Sequence, residues 1–176
     1  MPLRILLADD QQMIREALAM ILDIEVDLEV VAQVGRGDEV LPAVRETRPD
    51  VALLDIEMPG ATGIEAAAEL ARSGLRSQTG APVRSLILTT FRRPGYLRRA
   101  LEAGASGFVV KDGTASQLAQ AVRRTAAGLR VVDSVLAEEA KWQGSSPLTG
   151  RETEVLRAAE TAGSVKEIAG MLGLSS

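Results

Sequence analysis

The stretch Asp50-Val51-Ala52-Leu53-Leu54-Asp55-Ile56-Glu57-Met58-Pro59-Gly60 constrains this chain more than any other. Val51 to Leu54 is an unbroken apolar run of strand length, the pattern of a strand buried on both faces. It ends at a carboxylate, Asp55, and Pro59-Gly60 then forces a turn. In an open α/β sheet, ligands are held at the C-terminal ends of the strands. One aspartate there is most simply a turn or cap residue. Its meaning depends on whether other strands deliver partners to the same edge.

They do. Ile5-Leu6-Leu7-Ala8 ends in Asp9-Asp10, Leu86-Ile87-Leu88 ends in Thr89-Thr90, and Gly107-Phe108-Val109-Val110 ends in Lys111-Asp112. Between these runs lie segments with helical spacing. Met13, Ile14, Ala17, Leu18, Ile21 and Leu22 share one face, as do Val40, Leu41 and Val44, and later Leu97, Ala100 and Leu101. The reading in order is a strand over Leu3 to Ala8, a helix over Gln12 to Leu22, and a strand over Glu29 to Val34. A helix over Asp38 to Thr47, the central strand, a helix over Gly63 to Ser73 and a fifth helix over Ala115 to Ala127 follow. Gly74 to Pro82 reads as a longer surface loop. Alternating strands and helices predict an α/β fold, a doubly wound five-stranded parallel sheet with right-handed crossovers. All four polar strand tips then share one edge.

The chemistry of that edge follows from its groups. Carboxylates held close together repel one another, so their charged state calls for a cation. An incomplete, all-oxygen cage suits Mg²⁺, which keeps several waters and shares positions with phosphate oxygens. A carboxylate beside such a cation can attack phosphorus and form an acyl phosphate. A lysine and a hydroxyl can stabilise the transferred phosphoryl oxygens. Taken singly, Lys111 is more simply a solvated lysine and Thr89 a strand-end hydroxyl. Four polar tips at four strand ends make that explanation poor.

These residues resemble the receiver domain of two-component response regulators. The resemblance rests on Asp9-Asp10, Asp55 within Leu-Leu-Asp-Ile-Glu-Met-Pro-Gly, Thr89, Phe108 and Lys111, over roughly the first two thirds of the chain. It implies a flavodoxin-like receiver in which Asp55 is the phospho-acceptor. It implies that Asp9, Asp10, Asp55 and the backbone carbonyl of Glu57 hold Mg²⁺. Lys111 and Thr89 would contact the phosphoryl group, and Thr89 and Phe108 would act as switch residues. Phe108 stands where the family often has Tyr, losing a hydroxyl but keeping a ring. The implied partner is a sensor histidine kinase, and phosphorylation would promote a homodimer.

Composition narrows the rest. There is no His and no Cys, which excludes histidine bases, thiol nucleophiles, zinc thiolates and disulfides. The chain itself cannot be the histidine phosphodonor. Net charge is −4, so there is no global signature of nucleic-acid binding. No run is long enough to span a membrane, and the expectation is a cytoplasmic protein. Arg92, Arg93, Arg98 and Arg99 cluster around the fourth helix and read first as a solvated face.

The C-terminal part reads separately. The expected division is a receiver over 1–127, a linker over 128–147 and a second domain over 148–176. Val131 to Trp142 is expected to form a helical linker, and Gln143-Gly144-Ser145-Ser146-Pro147 marks the boundary. Capping boxes start two helices, at Thr149-Gly150-Arg151-Glu152 and Ser164-Val165-Lys166-Glu167. Leu148 to Glu152, Glu154 to Leu156, Lys166 to Ala169 and Leu172 to Ser175 resemble the start of the DNA-binding domain of NarL/FixJ (LuxR-type) regulators. The resemblance implies a partial, all-α helix-turn-helix that stops at Ser175-Ser176, before the recognition helix, and hence a truncated chain. Promoter DNA is the partner of the full-length domain, with binding by this chain weak or absent. The leading expectation is a phosphorylation-switched transcription regulator, not an enzyme beyond any intrinsic autophosphorylation and autodephosphorylation. Two alternatives stay open: a haloacid-dehalogenase-like aspartyl phosphotransferase or phosphatase, and a stand-alone receiver acting through protein contacts.

Overall fold

The structure is a computed structural model that describes residues 1–90 and 94–132. The chain divides into two units, Met1–Ala140 and Lys141–Ser176, and the described residues belong to the first. The expected helix-turn-helix, the Gln143–Pro147 boundary, most of the expected linker helix, Arg92 and Arg93 lie outside the described residues.

Six strands alternate with five helices among the described residues. They are β1 (Leu3–Ala8), α1 (Gln12–Asp23), β2 (Leu28–Val34), α2 (Val40–Thr47), β3 (Val51–Asp55) and α3 (Gly63–Ser73). Then come β4 (Arg84–Thr89), α4 (Pro94–Glu102), β5 (Gly107–Val110), α5 (Ala115–Ala126) and β6 (Val131–Val132). The sheet is parallel throughout, in the order β2-β1-β3-β4-β5-β6. Five strands were expected. The sixth is the dipeptide Val131–Val132, which pairs with Gly107 and Phe108 and buries Val131 on the outer edge of β5. This pair was expected to open a helix. Two consecutive β-branched residues beside an open strand edge gain a ladder and an apolar neighbour instead.

The period-two alternation of the strands sorts the core into two layers. Leu6, Ala8, Ala52, Leu54, Ile87 and Phe108 face α2, α3 and α4, meeting Val44, Ile64, Leu70 and Leu97. Ile5, Leu7, Val51, Leu53, Leu86 and Leu88 face α1 and α5, meeting Leu22, Leu118 and Val122. With aromatics at only 2% of the chain, these layers are aliphatic, and Phe108 is the largest fully buried side chain among the described residues. Each buried Leu or Ile contributes about 1.5–3 kcal/mol relative to exposure.

Local signals place the helices. Thr62 and Glu65 form a reciprocal capping box at the start of α3, and Thr114 and Gln117 form another at the start of α5. A single 3₁₀ turn, Gly37–Glu39, precedes α2 where the sequence reading began that helix at Asp38. The 74–82 loop is stapled rather than loose. Arg76 bridges to Pro82, Ser77 is fully buried, and the Arg48 guanidinium donates to the Ser77 carbonyl at 3.2 Å.

Candidate functional site

Register brings the polar tips level. Ala8 pairs with Leu54, so Asp9 follows β1 beside Asp55 at the end of β3. Asp55 pairs with Leu88, which puts Thr89 one residue further along β4, and Thr89 pairs with Val110, immediately before Lys111. The Lys111 amide donates to the Thr89 carbonyl at 2.7 Å, so the Lys111 side chain leaves the sheet from a fixed backbone.

Asp9, Asp55 and Lys111 meet directly. The Lys111 ammonium lies 2.5 Å from Asp9 Oδ2 and 2.8 Å from Asp55 Oδ1. All three side chains are buried, at 7% exposure for Lys111, 1% for Asp9 and 9% for Asp55. The other oxygens are also engaged: Gln11 N–H donates to Asp9 Oδ1 at 3.0 Å, and Glu57 N–H donates to Asp55 Oδ2 at 3.1 Å. Glu57, expected here for its carbonyl, supplies its amide to Asp55. Asp10, next along the chain, is exposed.

Thr89 is buried at the end of β4 and, with Asp10, Gln11, Asp55, Glu57 and Thr90, lines a polar cleft of about 70 Å³. A larger cavity of about 240 Å³ lies between α1 and α5, against Leu18, Ile21, Leu118 and Val131, and the acidic cluster does not line it. Phe108 is 1% exposed and packed in the layer facing α2, α3 and α4, so its ring is turned inward in this structure.

Two glycines let the loop after Asp55 take its course. Gly60 has φ +82°, a left-handed conformation that side chains resist. Gly63 opens α3 against the end of β3, where a Cβ would stand 1.9 Å from the Asp55 carbonyl oxygen. The loop therefore folds back tightly over the strand that presents the carboxylate.

Burial raises the Asp55 pKa above the ordinary carboxylate value, against the opposing pull of Lys111 and the Glu57 amide. Burial alone would lower Lys111, but its hydrogen bonds to Asp55 and Asp9 outweigh it and raise its pKa. Lys111 is accordingly held as a cation.

Asp9, Asp10 and Asp55 each offer one carboxylate oxygen, and these atoms lie within 4.8 Å of one another. Hard oxygen donors beside a polar cleft fit a divalent cation of the Mg²⁺ type, with the remaining positions left for water. That Lys111 spans Asp9 and Asp55 shows how strongly the cluster attracts positive charge.

The structure brings together Asp9, Asp10, Asp55, Thr89 and Lys111 and keeps Phe108 apart in the core. Of the basic cluster, Arg98 and Arg99 are exposed on α4. Arg98 is 3.8 Å from Glu102, one helical turn on, and Arg99 lies over the Tyr96 ring. Sequence reasoning placed Thr90 at the same strand tip as Thr89 without giving it a part in the site, and it missed Arg15. Arg15 donates to the Asp9 carbonyl and sits one helical turn after Gln11, with no local signal marking it.

Comparison with known proteins agrees with this geometry. Residues 5–123 match the family described as the response regulator receiver domain. The chain is 41% identical, over 98% of its length and 82% of the relative's, to the transcriptional regulatory protein DesR of Bacillus subtilis (strain 168). Among solved structures it is similar to a LuxR-family two-component response regulator from Aurantimonas sp. SI85-9A1. That match has 31% identity and a TM-score of 0.73, covering 82% of this chain and 99% of the other. It is also similar to the response regulator ChrA of a heme-sensing two-component system, at 33% identity and a TM-score of 0.68, over 99% of this chain and 83% of the other. The haloacid-dehalogenase alternative finds no better support.

Proposed function

This chain belongs to the response regulator receiver family and is a two-component response regulator related to transcription regulators, and on that premise we propose that Asp55 is its phospho-acceptor. The observation that carries the reading is the buried Asp55 carboxylate at the end of the central strand, paired with Lys111 and clustered with Asp9 and Asp10.

The donor is a phosphohistidine of a sensor kinase, or a small acyl phosphate. An Asp55 oxygen attacks phosphorus, an O–P bond forms, the donor's bond to phosphorus breaks, and the donor leaves with the electron pair. Lys111 is within reach of the Asp55 carboxylate and balances the charge of the incoming phosphoryl oxygens, and the Thr89 hydroxyl lies on the same cleft. Gln11 and Glu57 amides hold Asp9 and Asp55 in place. Asp9, Asp10, Asp55 and the Glu57 carbonyl would hold Mg²⁺, which when bound neutralises the carboxylates and the phosphoryl oxygens.

The readout is dimerisation. Thr89 and Phe108 report the phosphoryl group to the surface, with Phe108 leaving or keeping its buried place. One face suits a second copy: Met13, Met20 and Ile24 are 83%, 71% and 78% exposed and share one side of α1. The setting is cytoplasmic, and no helix among the described residues is long and apolar enough to cross a membrane. The sequence of residues 148–176 supports reading them as part of a LuxR-type DNA-binding domain, with promoter DNA as its partner. This segment has three basic and four acidic residues, so it adds little phosphate attraction of its own.

Intact mass after acetyl phosphate and Mg²⁺ tests the reading. One acid-labile phosphoryl group is expected on the wild type and none on Asp55→Ala, and equal labelling of both refutes Asp55. Light scattering with beryllofluoride should show a dimer that Ile24→Asp weakens.

A further inference from the structure

Arg15 lies outside the set of groups that touch the phosphoryl or the cation, yet it is tied to the acidic end of β1 and lies against the residue that follows β2. It sits in the first turns of α1, half-buried, and its Nη1 donates to the backbone carbonyl of Asp9 at 2.5 Å. The same nitrogen lies over Gly35, just after β2, where even a Cβ would approach to 3.3 Å. The guanidinium thus fills the gap between the ends of β1 and β2.

The contacts of Asp9 give this position meaning. Its amide donates to the Val34 carbonyl at 3.1 Å, Oδ1 accepts from Gln11 N–H, and Oδ2 accepts from Lys111. Arg15 takes the one remaining polar atom, the carbonyl. That carbonyl belongs to the peptide joining Asp9 to Asp10. Its orientation decides where the next residue leaves the strand. Asp10 is exposed, and among the described residues its side chain makes no hydrogen bond or ion pair, so the peptide before it is its main constraint.

We infer that Arg15 is a positioning residue for the divalent-cation site: by holding the Asp9–Asp10 peptide it sets the placement of the Asp10 carboxylate relative to Asp9 and Asp55. The inference rests on the cation reading above and concerns a residue that does not itself touch the cation.

Charge and position pull in opposite directions here, which makes the idea testable. As a bare positive charge near three carboxylates, Arg15 would repel a divalent cation, and removing it would tighten binding. As a support for a ligand-bearing peptide, its removal weakens binding by about tenfold, the usual scale for groups that orient metal ligands. Arginine's planar guanidinium can donate to the Asp9 carbonyl while lying against Gly35, a shape that a lysine's single ammonium does not reproduce.

The experiment is calorimetric titration of Mn²⁺ into the full 176-residue chain: wild type, Arg15→Met, Arg15→Lys and Asp10→Ala. Thermal unfolding in EDTA runs alongside. Arg15→Met is expected to bind Mn²⁺ about tenfold more weakly, and Arg15→Lys to recover only part of that despite its retained charge. Mn²⁺ affinity equal to or above wild type in Arg15→Met overturns the inference, even if its unfolding temperature falls. Should Arg15→Met not fold, Arg15→Lys decides: weakening by threefold or more supports the role, and unchanged affinity overturns it. A wild type whose Mn²⁺ uptake Asp10→Ala leaves intact overturns the cation reading, and this inference with it. Asp10-dependent uptake that is indifferent to Arg15 overturns the inference alone.

Discussion

Replacing Lys111 with Met removes the ammonium from between Asp9 and Asp55 while keeping most of its volume. The two carboxylates it joins are 1% and 9% exposed and lie 2.5 and 2.8 Å from it. Breaking a buried ion pair by removing one partner costs about 3–5 kcal/mol, because the other charge is left without compensation. Here two charges are left, but Asp55 lines the polar cleft beside exposed Asp10, which lets water reach it. The lower end applies, about 3 kcal/mol in EDTA at neutral pH, or a fall of roughly 6–12 °C in Tm for a domain of this size. The pH dependence has a definite sign. Asp55 is already raised above 3.8 by burial, and losing Lys111 raises it further. A carboxylate with a raised folded-state pKa is penalised as pH rises from its unfolded value through its folded one. The deficit of Lys111→Met is therefore smallest near pH 4 and largest at neutral pH. In the wild type, Lys111's own contribution persists to alkaline pH and fades only above its usual 10.5, since its folded-state pKa is raised. Mg²⁺ replaces the missing positive charge, so it should stabilise Lys111→Met more than the wild type. Urea unfolding followed by far-ultraviolet circular dichroism, in EDTA and in Mg²⁺, at pH 4.5 and 7, measures all three effects. A deficit under about 1 kcal/mol that ignores both pH and Mg²⁺ would refute the argument that Lys111 compensates buried charge.

Gly63→Ala drives a methyl into the Asp55 carbonyl, 1.9 Å from an ideal Cβ, and overpacking against backbone should cost about 3 kcal/mol or prevent folding. A urea midpoint within error of wild type would show that the turn can yield. Arg123 holds α5 to the α1–β2 loop through Asp27 at 2.6 and 2.7 Å and Glu25 at 2.6 Å. Its hydrogen bonds lower Asp27 below 3.8, so the pair's stabilisation is present above that value and lost as pH falls through the depressed one. Arg123→Gln should be less stable than wild type at pH 7, with the gap closing toward pH 3. An equal gap at both pH values counts against the ion pair.

The order of strands and helices, the parallel sheet and the edge that carries the chemistry were all legible in the sequence. Each rests on local information: four apolar runs ending in polar groups, and helical spacing between them. Val131–Val132 was not, because a two-residue strand exists only where β5 leaves an edge open. Residues distant in sequence meet only in the fold, so tertiary structure alone decided that Lys111 spans two carboxylates, one of them 102 residues away. It decided that adjacent Asp9 and Asp10 differ, one buried against Lys111 and the other exposed, since chain position says nothing about which way a strand end turns. It turned the Phe108 ring into the core, and it laid Arg15 across two strand ends. The physical reason is the same in each case. Periodicity and strand-end chemistry are written along the chain. Which carboxylate is desolvated, which cation compensates it and which peptide is held still depend on register across the sheet and on what packs above its edge.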